Sequence, residues 1–343
     1  MSTALIFGAQ RAFTALAKSA IEVEKSLTDI NVIFNLSDKN IKKFGDDLFK
    51  VAKDTGTSFQ TVSKAALEFS RQGLGVAETL KRTRDALILS RLSALEANDA
   101  VGALTATVNS FSKEALTTTD VLNKLVAVDA KFAVSAGDLV EALRRVGSTA
   151  TDAGVGLDEL IAIVTAVQER TFRGGAVIGN AFKTIFTRIQ RPETIKQIEE
   201  LGIAVRDLEG NVAPATQILI SLAQSYDTLS KSQRQQIDEL TAGIFQINVL
   251  KAAIQDLSKP LSKFDKALET SKNATNEAFT RIAQLNLTLR DQLNRTVQAI
   301  TQAGAKVGEF TFRPVLENLF GAGTGIAEFI NNQLGGEGIG KRI

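Results

Sequence analysis

Histidine, cysteine and tryptophan are absent from all 343 residues, and methionine and tyrosine occur once each. The first two absences remove the side chains that most often shuttle protons, act as thiol nucleophiles and bind transition metals. They also exclude disulfides, without assigning a compartment. Proline is almost as scarce, at four residues, so helices can run long before a ring and a missing amide stop them. No stretch approaches the roughly 18 uninterrupted apolar residues of a membrane span, and no charged start followed by an apolar run resembles an export signal. Synthesis and folding in the cytoplasm are therefore expected. Neither sign of charge dominates: 40 basic residues face 38 acidic ones, so no global field recruits nucleic acid or anionic lipid, and any such contact must be local.

What is present is a chain that is 44% apolar and written almost throughout in helical spacing. The expected fold is all-α: a series of helical hairpins or a bundle, with an N-terminal heptad helix, a long C-terminal helix and one short hairpin or loop near 203–213. Length does not choose between compact and extended forms, because the same residues laid out as one helix would span on the order of 500 Å.

Ile6, Ala9, Phe13, Leu16, Ala20, Val23, Leu27, Ile30 and Phe34 follow one another at spacings of three and four. That is a heptad seam, and Phe13, Leu16, Val23, Leu27 and Ile30 are its candidate contacts with sister copies. Packing of the same stripe on its own domain is the competing reading. Beyond Phe34 shorter helices follow. Starts are marked by capping pairs at Thr57 and Gln60, Ser93 and Glu96, Thr117 and Asp120, Ser135 and Asp138, and Ser232 and Gln235. Ends are marked by glycines such as Gly56, Gly73, Gly154 and Gly202. Helical spacing resumes at Ala215 and stops near Pro260, the best boundary in the chain. Three segments result: a coiled-coil-like helix over 1–36, a helical core domain over 37–259, and an extended helical segment over 260–343 ending in glycines. The thin stripe Ala278, Ile282, Leu285 and Leu289 in the third segment buries too little to stand alone and calls for partner helices.

Motifs that would carry chemistry fail on inspection. Gly335 to Lys341 spells G-x-x-x-x-G-K, yet Arg342 stands where a phosphate loop places Ser or Thr. Ser110 to Lys113 spells S-x-x-K without the companion motif of an acyl enzyme. Asp46 with Asp47 and Glu199 with Glu200 are sequence neighbours that diverge on a helix. Arg170, Arg173, Lys183, Arg188 and Arg191 form the best basic patch. Phe182 and Phe186 beside it, four residues apart, read as the buried side of a helix rather than as stacking platforms.

The run ERTFRGGAVIGNAFKTIFTRIQRPETIKQIEELGIAV, from Glu169 to Val205, resembles the core region of phage tail tape measure proteins. The residues that carry the resemblance are Gly174 and Gly175, Phe182 and Phe186, Arg191 and Pro192, and Leu201, Gly202 and Ile203. Gly210 and the stretch from Ala242 to Asn248, with Gly243, Phe245 and Gln246, are similar too. The resemblance covers roughly residues 10–260. It implies a structural role with no catalytic residues and no cofactor: a chain in the tail tube lumen or at the tail tip of a virion, setting tube length and released during genome ejection. The implied partners are its own copies as a trimer or hexamer, the tail tube protein, tail tip or baseplate proteins and tail assembly chaperones. Transient contact with the genome DNA and the host membrane is implied as well. Members of that family are commonly longer, so these residues are expected to be part of a larger product.

The residues support the same mechanism, since a helix has constant rise and its span scales with residue count. Two rival functions remain. A membrane-active ejection protein would use Ala299 to Gly308 and Phe320 to Leu334, both short and interrupted by charge. A wall-cleaving enzyme lacks the catalytic residue types.

Overall fold

The computed structural model describes residues 3–288, 299, 301 and 302, with side chains from Lys18 onward. Among the described residues there are fourteen α-helices, two 3₁₀ turns and no sheet. The chain divides into two compact units, residues 1–84 with 285–343, and residues 85–284.

The first unit is built on α1 (Thr3–Phe34), α2 (Asp38–Thr55) and α3 (Phe59–Ser70), and it takes in the start of α4 (Val76–Ser93). Asn31 ends α1 by clasping Leu36, accepting from its amide at 2.8 Å and donating to its carbonyl at 3.2 Å. The chain turns between them through Asn35 at φ 51°. Helix α1 packs mainly on α3 and also meets α2. Val23 and Ile30 are buried, and Leu27 lies over Gly45, where an added methyl would come within 2.8 Å of the leucine. Two ring pairs, Phe49 stacked on Phe59 at 4.1 Å and Phe34 edge-on to Phe44 at 5.6 Å, fill the core.

The second unit contains α5 (Ala97–Ser110), α6 (Thr118–Lys131), α7 (Ala136–Asp152), α8 (Leu157–Thr171), α9 (Gly175–Ile189), α10 (Pro192–Glu200), α11 (Ala215–Ser225), α12 (Lys231–Leu257), α13 (Lys263–Lys272) and α14 (Glu277–Leu285). Leu157 to Gln168 of α8 are all buried except Asp158 and Glu159, as expected for a helix apolar on every side. It packs against α6, α7, α9, α12 and α13 and forms the axis of the unit. Between α10 and α11 the chain makes a tight hairpin. Arg206 bridges Val212, and Asp207 accepts from the amides of Glu209 at 3.0 Å and Asn211 at 2.8 Å.

Several expectations need correction. The segment from Ser262 is not one long helix: α13 ends at Lys272 and α14 begins at Glu277, and the stripe beyond Thr288 lies outside the described residues. Pro260 sits in the turn between α12 and α13, yet the second unit continues to Gln284. The reason is packing, for Phe264, Ala267, Ala278 and Ile282 are buried in it. Helix α3 starts from Ser58 rather than Thr57, α5 from Glu96 rather than Ser93, and α12 from Ser230 rather than Ser232. Thr117 and Ser135 cap α6 and α7 at the expected positions.

Candidate functional site

Residues singled out by sequence from two distant stretches meet where α9 packs between α7 and α12. Gly174, at φ 80° and ψ 152°, turns the chain into α9. The next residue, Gly175, lies so close to α7 that a methyl group there would overlap the Asp138 carbonyl. One turn on, a methyl at Gly179 would fall 2.8 Å from the Cα of Ala142. Small residues four apart thus let two helix backbones approach closely along a shared direction. Asp138 joins the two helix starts, accepting from the Gly175 amide at 3.1 Å and from the Ser135 hydroxyl at 2.6 Å. Further along the same face of α9, Phe182 and Phe186 are fully buried and stacked at 5.3 Å.

At its far end α9 meets a break in α12. Gly243 has φ 62° and ψ 174°, non-helical angles inside an otherwise helical run. Carbonyls at such a break need donors. The Arg188 guanidinium supplies them, Nε to Leu240 O and Nη2 to Glu239 O, both at 2.9 Å. An open depression of about 360 Å³ lies beside this clamp, with Thr184 and Arg188 on one wall and Glu239 and Ala242 to Gln246 on the other. Ile244 and Phe245 stand 66% and 83% exposed at its rim.

The remaining predicted residues are spread along the second unit. Arg191 is exposed and precedes Pro192, which occupies the first turn of α10. Leu201 and Gly202 close α10, Gly202 at φ 75°, and Gly210 takes φ 86° in the hairpin. Gln246 is half-buried. Of the heptad stripe, Phe13 and Leu16 lie where side chains are not described, while Val23, Leu27 and Ile30 face their own unit. The basic patch is dispersed: Arg170 donates to Gln255 at 2.7 Å and Arg188 is spent on backbone carbonyls. Sequence reading places Arg188 only in the basic patch and passes over Asp138 as a site residue. The Ser135 to Asp138 capping pair was the available signal for the latter. The G-x-x-x-x-G-K run lies outside the described residues. Among the described residues, no group of acidic side chains is arranged to hold a metal ion, and no helix is long and apolar enough to cross a membrane.

The family described as phage-related minor tail protein matches residues 50–245, a span that contains the α7–α9 crossing and the Gly243 break. The chain belongs to the phage-related minor tail protein family. A tape measure protein of Pneumococcus phage Dp-1 is 20% identical to this minor tail protein over 323 residues. That alignment takes in 92% of the present chain and 27% of the relative, so the chain spans about a quarter of that protein's length. No solved structure matches this minor tail protein. It is a structural component of a phage tail by family. Gly175, Gly179, Gly202 and Arg188 set its backbone geometry through close helix approach, chain reversal and carbonyl capping.

Proposed function

We propose that this minor tail protein is part of a tape measure, a chain whose helical extent sets the length of the tail tube and templates its assembly, in the tube lumen or at the tip. The observation that carries the reading is the likeness to the Dp-1 tape measure protein along nearly the whole of this chain. The composition suits it, because an all-helical chain with four prolines can be drawn out into helix whose length is counted by residues. Sister copies, tail tube subunits, tip proteins and assembly chaperones are the partners this role requires, and release at genome ejection is its last step.

The test is made in the parent phage. Inserting about 36 helix-forming residues after Thr288, beyond the end of α14, adds about 54 Å of helix. Tails measured by electron microscopy are expected to lengthen by a matching amount. Tails of unchanged length from particles that carry the insertion overturn the reading.

A further inference from the structure

Helix α12 runs for 27 residues and is interrupted by one, Gly243. The apolar pattern of the sequence ignores that interruption. Ile237, Thr241, Phe245, Val249 and Ala252 follow at intervals of four and three, a stripe that would lie on one face of an unbroken helix. All are buried except the one beside the break: Phe245 is 83% exposed. The break turns Phe245 out of a stripe to which its position assigns it.

A second observation concerns the backbone. In an unbroken helix, the carbonyls of Glu239 and Leu240 would be satisfied by amides four residues on. Here Arg188, from another helix, donates to both at 2.9 Å. The Leu240 carbonyl, whose amide partner four residues on lies past the non-helical Gly243, therefore has two alternative donors, one inside α12 and one on α9. The angles at Gly243 belong to a region open essentially to glycine alone, so only glycine supports both arrangements.

We infer that Gly243 and Arg188 form a two-state hinge in α12. With the guanidinium on the carbonyls, α12 is bent and folded against α9. With it withdrawn, the same residues close into one helix about 40 Å long, and Phe245 rejoins the stripe of Thr241 and Val249. The inference rests on the tape measure reading for its purpose, because a chain that is compact when made and drawn out inside a tube needs such a conversion. Its test is independent of tail length.

The absence of cysteine allows spin labels at two introduced sites only. Ser232→Cys and Asn248→Cys place labels on exposed positions either side of the break, about 24 Å apart along a continuous helix. The labelled 343-residue chain is expected to give a single shorter distance. Gly243→Ala is expected to move most of the population to the longer distance and raise the helical circular dichroism signal. Arg188→Gln, which leaves the glycine in place, is expected to populate both. Unchanged distances in both variants show a rigid kink and overturn the hinge. So does a loss of helical signal in both, which would make the clamp a fold requirement and nothing more. Neither result touches the tape measure reading, which is decided by tail length.

Discussion

The Lys124 ammonium on α6 lies 2.7 Å and 3.0 Å from the two carboxylate oxygens of Asp158 on α8, and Ser271 of α13 donates to the same carboxylate at 2.5 Å. Lys124 also donates to the Ser271 carbonyl at 3.2 Å. Three helices are thereby joined through one ion pair whose side chains are only 11% and 20% exposed. Removing one charge of such a pair strands the other, at a cost of about 3 kcal/mol, whereas removing both is far milder. Lys124→Met is expected to lower the unfolding free energy measured by urea titration by that amount, and adding Asp158→Leu is expected to restore most of it. A double variant as unstable as the single one would show that the pair is not the source.

This network also shows what pattern reading reached and where it stopped. The capping residues Thr117 and Ser135 were legible because their partners lie three residues away. Ser230 and Ser232 offer the same spacing to Gln233 and Gln235. The choice is decided by Arg234, which folds back onto the carbonyls of Leu229 and Asp227, a preference that periodicity does not express. The thin stripe Ala278 and Ile282 calls, by its pattern, for partner helices. Its partner is α6 of the same chain, where Asn123 donates to Thr275 O and accepts from the Ala278 amide, a pairing across more than 150 residues. The Gly243 break was invisible for the opposite reason: the apolar stripe runs through it.

The glycines of α9 carry a graded prediction. A methyl at Gly175 would overlap the Asp138 backbone, and one at Gly179 would meet the Ala142 backbone at 2.8 Å, whereas nothing lies within 4 Å of Gly102 in α5. Backbone cannot rotate aside as a side chain can, so overpacking of about 1–3 kcal/mol or more follows at the first two sites. At Gly102, alanine is the better helix former by about 0.5–1 kcal/mol. Thermal unfolding is expected to rank Gly102→Ala above wild type, then Gly179→Ala, then Gly175→Ala. Equal stability of Gly175→Ala and wild type would mean that the α7–α9 approach is looser than described.

Glu114 supplies a pH dependence. Partial burial of its carboxylate pushes its pKa above the ordinary value of 4.5, the Leu157 amide opposes that shift, and the negative charge of Asp158 adds to it. With the folded value above the unfolded one, the stability it contributes is complete below about pH 4.5 and is lost as pH rises through the folded value. Glu114→Gln keeps an oxygen for the Leu157 amide, which the carboxylate now receives at 2.8 Å. The variant is expected to melt on the order of 1–2 °C above wild type at pH 7, with the difference closing toward pH 4. A difference that grows on acidification would reverse the assigned sign.

Asp256 decides whether the chain past Pro260 melts with the second unit or apart from it. This carboxylate is 3% exposed and accepts from the first two amides of α13, Lys263 at 3.2 Å and Phe264 at 2.9 Å. Ser262 and Asp265 complete a capping box at the same helix start. Asp256→Ala leaves those amides buried without acceptors, at a cost of about 2 kcal/mol. Because Phe264 and Ala267 are buried and α13 packs on α6 and α8, the loss is expected in the unfolding of the whole unit. Hydrogen exchange should then quicken in α8 as well as in α13. Faster exchange confined to residues 263–272, with α8 unchanged, would make α13 an appendage and restore Pro260 as the boundary that the sequence alone suggests.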